Sequence, residues 1–110
     1  MIIKKPSIFI YTNEPDTIVL KEICAGIEEE GIFYEILKMP AASPHELAWD
    51  AANDSMLGSG IGVKRTFIAL QMRGLQKGHS VESYEHPDKE QSRKLGSNSA
   101  RAIKKQSFKN

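Results

Sequence analysis

The first third of the chain alternates between strand-like and helix-like spacing of its hydrophobic residues. Residues 7–12 form a short β-branched and aromatic run that predicts a buried strand. Asp16 or Thr17 is placed to cap the helix that follows, and Gly31 is placed to end it. One apolar stripe at helical spacing runs along that helix: Leu20, Ile23, Cys24 and Ile27. Residues 32–37 predict a second strand, and this close connection implies a parallel pair with a right-handed crossover.

The middle of the chain predicts a second helix and two adjacent strands. Ser43 is a helix cap followed by proline, and the helix has a small-residue inner face. Residues 60–63 and 66–72 predict the third and fourth strands. Only Lys64 and Arg65 separate them, which is too short for a crossover helix, so we expect the fourth strand to run antiparallel.

The last third predicts a short strand and a terminal helix. Residues 81–85 form the strand, and Pro87 opens a helix that reaches about residue 105. Residues 96–99 (GSNS) disfavour a helix, so we expect a kink or break there. The whole pattern predicts one domain over residues 1–110, an α/β three-layer α/β/α sandwich. Its mixed, mostly parallel sheet is expected to have four to five strands with one antiparallel strand.

Composition narrows the class of protein. The 110 residues hold no apolar run near the roughly 20 residues that span a bilayer. Residues 1–10 have no small-residue cleavage site of a secretory signal. We therefore expect a cytoplasmic protein without a membrane partner. Cys24 is the one cysteine, which excludes a disulfide framework or a thiolate metal cage within one chain.

The net charge of +1 hides an uneven distribution of charge. Residues 87–110 hold seven Lys or Arg against two acids, which leaves residues 1–86 net acidic. A basic tail can bind phosphates, nucleic acid or an acidic protein. Phe108 is the one aromatic residue in this tail, so the tail lacks the series of aromatic side chains on which nucleic-acid bases stack. We interpret the tail as a solvated helix end and expect no nucleic-acid partner.

The residues that usually carry chemistry form no catalytic pattern. His45, His79 and His86 have no metal-ligand spacing, and His45 is expected to face solvent. Residues 58–62 (GSGIG) are rich in glycine, like a phosphate-binding loop. However, a strand follows them where such a loop needs a helix. We therefore expect no catalytic and no cofactor-binding residues, and a small phosphate-binding α/β domain stays an alternative.

Two features instead suit contact with another protein. Glu28, Glu29 and Glu30 are adjacent acids at a helix end, where negative charge opposes the helix dipole. Such a cluster either solubilises the helix end or serves a partner or a hard cation. Glu29 points most directly away from the apolar stripe. Trp49 lies outside the inner face of its helix and either anchors an interface or covers the sheet edge.

Three segments resemble the small subunit of the diol/glycerol dehydratase reactivating factor. They are residues 23–32 (ICAGIEEEGI), the helix end at residues 48–59 that runs into 60–63, and residues 95–101 (LGSNSAR). Their order and spacing agree over residues 7–108, and residues 64–86 match least.

The resemblance implies a non-catalytic subunit that binds a large, chaperone-like ATPase subunit, commonly as two large plus two small chains. The small subunit would be exchanged for the dehydratase β subunit, after which damaged cobalamin is released. ATP or ADP and Mg²⁺ would belong to the large subunit. The family's acid that reaches the metal from the small subunit corresponds to Glu29 here.

Other interpretations stay open beside this one. The medium (β) subunit of the dehydratase shares the fold, although such chains usually carry N-terminal extensions and cobalamin-contacting segments. A homodimer of the isolated chain is also open, as is association with a bacterial microcompartment.

Overall fold

The computed structural model describes residues 5–105 and 108, and its centre is one sheet of five strands in the order β2-β1-β3-β4-β5. The strands are β1 (Ile8–Asn13), β2 (Tyr34–Lys38), β3 (Ser59–Lys64), β4 (Phe67–Met72) and β5 (Glu82–Tyr84). The helices are α1 (Thr17–Glu29), α2 (Pro44–Asp54) and α3 (Lys89–Ile103). Strands β1, β2 and β3 are parallel, and β4 runs antiparallel to both of its neighbours. The predicted mixed sheet with one antiparallel strand is confirmed.

The helices cover both faces of the sheet, which gives the predicted three layers. Helices α1 and α3 pack on one face, and α2 packs on the other. Because successive strand residues point to opposite faces, Ile8 and Ile10 enter the larger core under α1 and α3. Phe9 and Tyr11 join the smaller core under α2 with Leu47 and Ala51.

Local capping signals place the helix starts as expected. The Val19 N–H donates to Asp16 Oδ1 at 2.9 Å, and the Glu46 N–H donates to Ser43 Oγ at 3.1 Å. Gly31 has a φ of +75°, which lets the chain leave α1 and enter β2. Asp88 caps α3 with a reciprocal bond to Gln91, so α3 begins two residues after Pro87.

The expected kink in the terminal helix is wrong. Helix α3 is continuous, and Gly96, Ser97, Asn98 and Ser99 are all buried inside it. A Cβ on Gly96 would lie 2.1 Å from the Ile23 carbonyl oxygen of α1. The two helix backbones therefore touch here, and Gly96 and Ser97 are used despite their poor helix propensity because only small side chains fit the crossing. Within the described residues, no helix is both long and apolar enough to cross a bilayer.

Candidate partner-binding site

The crossing of α1 and α3 brings the acids at the end of α1 against the basic residues of α3. Gly26 is the second contact point of this crossing, since a Cβ there would lie 2.1 Å from the Arg93 carbonyl oxygen. Arg93, Ser97 and Arg101 follow at four-residue intervals on the face of α3 that contacts α1. Ser97 Oγ donates to the Gly26 carbonyl at 3.2 Å in the middle of this face. We call the acids Glu22, Glu29 and Glu30 together with Arg93, Arg101 and Lys104 the acid–base end.

The three adjacent glutamates have three different environments. Glu28 accepts a hydrogen bond from Tyr34 Oη at 2.8 Å, beside β2. Glu29 forms an ion pair of 3.3 Å with Arg93, and 42% of its side chain is exposed. Glu30 pairs with Arg101 at 3.3 Å and with Lys104 at 2.9 Å, and only 9% of its side chain is exposed. The mutual repulsion expected from the sequence is therefore relieved by basic partners for Glu29 and Glu30 and by the Tyr34 hydroxyl for Glu28.

Lys104 also offsets the unfavourable interaction of the acids with the dipole of α1. Its Nζ donates to the Glu30 carbonyl oxygen at 2.9 Å, so a cation caps the C-terminal end of α1. The Lys104 hydrogen bond, helped by Arg101 and opposed by burial, holds the pKa of Glu30 below its usual range. The basic tail is thus no simple solvated helix end, because Arg93, Arg101 and Lys104 bind the acids of α1.

Glu28 is tied to β2 rather than to α3. Its hydrogen bond is the main cause that raises the pKa of Tyr34, with burial adding to it. Tyr34 could not be predicted as a partner, since nothing local in the sequence indicates that a residue after Gly31 folds back on α1. The signal for the α3 partners was present in the eight-residue spacing of Arg93 and Arg101, which places them on one helix face, but it does not identify the helix that they face.

The residues around Glu29 determine how much of a divalent-cation site this chain can supply. Among the described residues, no three His, Cys, Asp or Glu side chains are grouped so that they could hold a metal ion. Glu29 can therefore supply one carboxylate oxygen, a suitable ligand for Mg²⁺, while other ligands would have to come from outside this chain. The Arg93 guanidinium lies 3.3 Å from that carboxylate, and 42% of the Glu29 side chain is exposed.

Trp49 is not brought together with the three glutamates. It lies on α2, so the sheet separates it from the acid–base end. The Trp49 ring is half-buried and lies 4.7 Å from Lys77 Nζ, in the connection between β4 and β5. The Trp49 ring therefore packs against this connection. Its role in an interface stays a prediction.

The glycine-rich segment at residues 58–62 does not form a phosphate loop. Gly60 and Gly62 lie in β3 and pair with β1 on one side and β4 on the other, so their backbone is engaged in the sheet. A Cβ on Gly60 would lie 2.1 Å from the Ala52 nitrogen, and one on Gly62 would lie 2.1 Å from the Pro44 carbonyl oxygen. These glycines are required by the close approach of α2 to the sheet, and the phosphate-binding alternative loses its one candidate site.

The carboxyl ends of β1 and β3 mark the point where an open α/β sheet usually binds a ligand. Here the loops after these strands bind each other. The Asp16 N–H donates to the Arg65 carbonyl at 2.8 Å, and the Arg65 N–H donates to the Glu14 carbonyl at 3.1 Å. Because β3 turns directly into β4, its tight hairpin occupies the place that a crossover loop would leave open.

His45 corrects one further expectation. It is half-buried rather than solvent-facing, since its Nδ1 lies 2.7 Å from Ser80 Oγ and its ring packs edge-on against Phe67. The hydrogen bond and the ring contact give this histidine a structural explanation.

Comparison with known proteins gives this architecture a family. The family described as "dehydratase medium subunit" matches residues 5–109, and the chain belongs to that family. The small subunit of the Klebsiella michiganensis diol dehydratase-reactivating factor is 33% identical over 85 residues, which are 76% of this chain and 68% of that protein. The propanediol dehydratase-reactivating factor small subunit of Citrobacter freundii is 32% identical over 100 residues, 90% of this chain and 86% of that protein.

Solved structures agree with these relatives. A chain in the structure of diol dehydratase-reactivating factor complexed with ADP and Mg²⁺ superposes with a TM-score of 0.90 at 30% identity, covering 97% of this chain and 100% of that chain. A chain of glycerol dehydratase reactivase matches in fold with a TM-score of 0.89 at 23% identity, covering 96% and 98%. The resemblance stated from three sequence segments is confirmed: within its family, this chain is a homologue of reactivating-factor small subunits.

Proposed function

We propose that this chain is the non-catalytic small subunit of a reactivating factor for a cobalamin-dependent diol or glycerol dehydratase. Its likeness to a chain of the factor complexed with ADP and Mg²⁺ carries the proposal. The nucleotide and Mg²⁺ belong to a large ATPase subunit, in an assembly of two large and two small chains. Release of damaged cobalamin follows when the dehydratase β subunit takes the place of the small subunit.

The acid–base end is the surface that we assign to the large subunit. Glu30 is held by two cations and is largely buried, so it stabilises the helix end. Glu29 is the more exposed of these two acids, and we assign to it the role of supplying one oxygen to the large subunit's Mg²⁺. Glu28 and Trp49 are further contact candidates from the sequence, although α2 carries Trp49 to the opposite face.

A polar, ionic surface suits a subunit that must be exchanged. Charged groups at an interface favour rapid and specific encounter more than they add net affinity. The ion pairs of Arg93 at this end are solvent-exposed in part, so covering them with a partner costs desolvation, which limits the net affinity. We therefore expect an interface that forms quickly and dissociates readily.

The experiment compares the affinity of tagged wild-type and Glu29→Gln chains for the large subunit, with Mg²⁺ and with chelator. Loss of one charged metal ligand is expected to weaken binding by about tenfold in Mg²⁺, since tenfold corresponds to about 1.4 kcal/mol. The difference should vanish in chelator. Glu14→Gln is the matched control, because Glu14 is also exposed and paired with one arginine, Arg65, at 3.6 Å. Equal affinity of Glu29→Gln and wild type in Mg²⁺ would refute the metal role.

The medium (β) subunit of the dehydratase itself is the second candidate, and the description of the matching family favours it. A pull-down from lysate of the source organism separates the two. Recovery of a large ATPase subunit supports the reactivating factor, whereas recovery of a dehydratase large subunit supports the medium subunit.

A further inference from the structure

Strand β2 is an open edge of the sheet with a defined set of outward backbone groups. Among residues 5–105 and 108, β2 pairs with β1 on one side and with no strand on the other. The Ile8 N–H donates to the Phe33 carbonyl, and the Met39 N–H donates to the Thr12 carbonyl. Odd-numbered residues of this segment therefore direct their N–H and C=O groups to β1. Because the direction alternates along a strand, the groups of Tyr34, Ile36 and Lys38 point outward.

The surface around this edge exposes apolar side chains, although β2 itself also carries one glutamate and one lysine. Phe33, Ile36 and Leu37 are large hydrophobic residues with 54%, 45% and 39% of their surface exposed. Tyr34 and Ile36 also line a groove of about 410 Å³ between β2 and α1. Native proteins usually protect a sheet edge with charges, proline or a bulge, whereas an apolar edge is a site for pairing with another strand.

We propose that β2 pairs antiparallel with β2 of a second copy of this chain about a two-fold axis at Ile36. Only the even-numbered residues of β2 direct their backbone N–H and C=O groups away from β1, so the register must place even-numbered residues opposite each other. Ile36 faces its own copy, and Tyr34 faces Lys38 of the second chain. Each of these pairs exchanges two backbone hydrogen bonds, so every outward group of the strand is satisfied. A shift of two residues in one direction would set Glu35 opposite Glu35, and like charges in that position repel. A shift of two residues in the other direction would leave Tyr34 without a partner in β2.

The charges at the edge fit this two-fold pairing. Lys38 has no carboxylate oxygen within 4.0 Å among residues 5–105 and 108. In the proposed register it lies opposite Tyr34 of the second chain, whose hydroxyl holds the Glu28 carboxylate. Lysine of each copy thus comes within reach of Glu28 of the other, and a two-fold interface makes this contact twice. Self-association shares Glu28 with the contact candidates proposed above, but its test uses this chain alone and therefore does not depend on the proposed function.

The first test is sedimentation equilibrium of the isolated chain over a range of concentrations. Wild type should approach twice the 12.3 kDa of one chain as concentration rises. Ile36→Lys sets two lysines opposite each other on the axis and should weaken self-association by about tenfold or more. Leu75→Lys is the matched control, since Leu75 is 48% exposed in the connection after β4 and should leave the dimer intact. Circular dichroism checks that both variants fold.

The second test reads the register directly. Amide hydrogen exchange of Ile36 and Lys38 should slow with rising protein concentration, while that of Glu35 and Leu37 should be slow throughout. Lys38→Glu should weaken the dimer, and adding Glu28→Lys should restore it. A chain that stays monomeric, an Ile36→Lys variant that associates like wild type, or protection that is independent of concentration would each overturn the proposal.

Discussion

Adding one methyl group where α1 and α3 cross is predicted to be strongly destabilising. Alanine is a better helix former than glycine by about 1 kcal/mol, so Gly96→Ala would stabilise an exposed helix. Here the new Cβ would lie 2.1 Å from the Ile23 carbonyl oxygen. An unstrained carbon–oxygen contact needs about 3.3–3.6 Å, so the helices must separate by about 1 Å.

The size of the effect follows from the contacts that this separation disturbs. Overpacking of a well-packed site costs about 1–3 kcal/mol. The same movement lengthens the ion pairs of Arg93 with Glu29 and of Arg101 with Glu30, both 3.3 Å. We expect a net loss of about 2 kcal/mol in the free energy of unfolding, which lowers the Tm by about 10 °C in a domain of this size.

Urea unfolding followed by far-ultraviolet circular dichroism measures this loss. Ser97→Ala is the control, because it adds no volume and removes one 3.2 Å hydrogen bond to the Gly26 carbonyl. We expect it to change stability by less than about 1 kcal/mol. A Gly96→Ala variant as stable as wild type, or more stable, would show that helix propensity outweighs packing at the crossing and would refute the reasoning.

Two further changes test the acid–base end and the glycines of β3. Because Lys104 and Arg101 hold the pKa of Glu30 below its unfolded value, its stabilisation is complete above the usual glutamate pKa of about 4.3 and is lost as the pH falls through the folded value. Glu30→Gln should therefore cost about 1–2 kcal/mol at pH 7 and much less at pH 3 in urea titrations, and a loss of equal size at both pH values would contradict the pairing. Gly60→Ala should lower the free energy of unfolding in urea titrations by about 1–3 kcal/mol, because its Cβ would lie 2.1 Å from the Ala52 nitrogen, and a wild-type value would contradict the close packing of α2.

Much of the fold could be predicted because its signals are local. The caps at Asp16 and Ser43 and the left-handed position at Gly31 each act over a few residues of the chain. The two residues between β3 and β4 exclude a crossover helix, so the direction of β4 could be predicted from the length of this connection alone.

The predictions that the structure contradicts concern residues whose partners are distant in sequence. The GSNS segment of α3 is unfavourable by propensity, but it forms an unbroken helix because its first two residues pack against α1 and its last two bond to the sheet. His45 was expected in solvent, whereas the hydroxyl of Ser80 satisfies it from a loop 35 residues away.

The sequence by itself determined the order of the elements, the sense of the sheet and the acid run that marks the candidate site. Only the tertiary structure decided what each acid does. Arg93 and Arg101 come 71 residues after Glu22 and Glu30 in the chain, and no local rule joins them. Two glycines let the helices touch, and that contact sets Glu30 as a buried ion-pair partner while Glu29 stays exposed, since burial and charge depend on which surfaces meet.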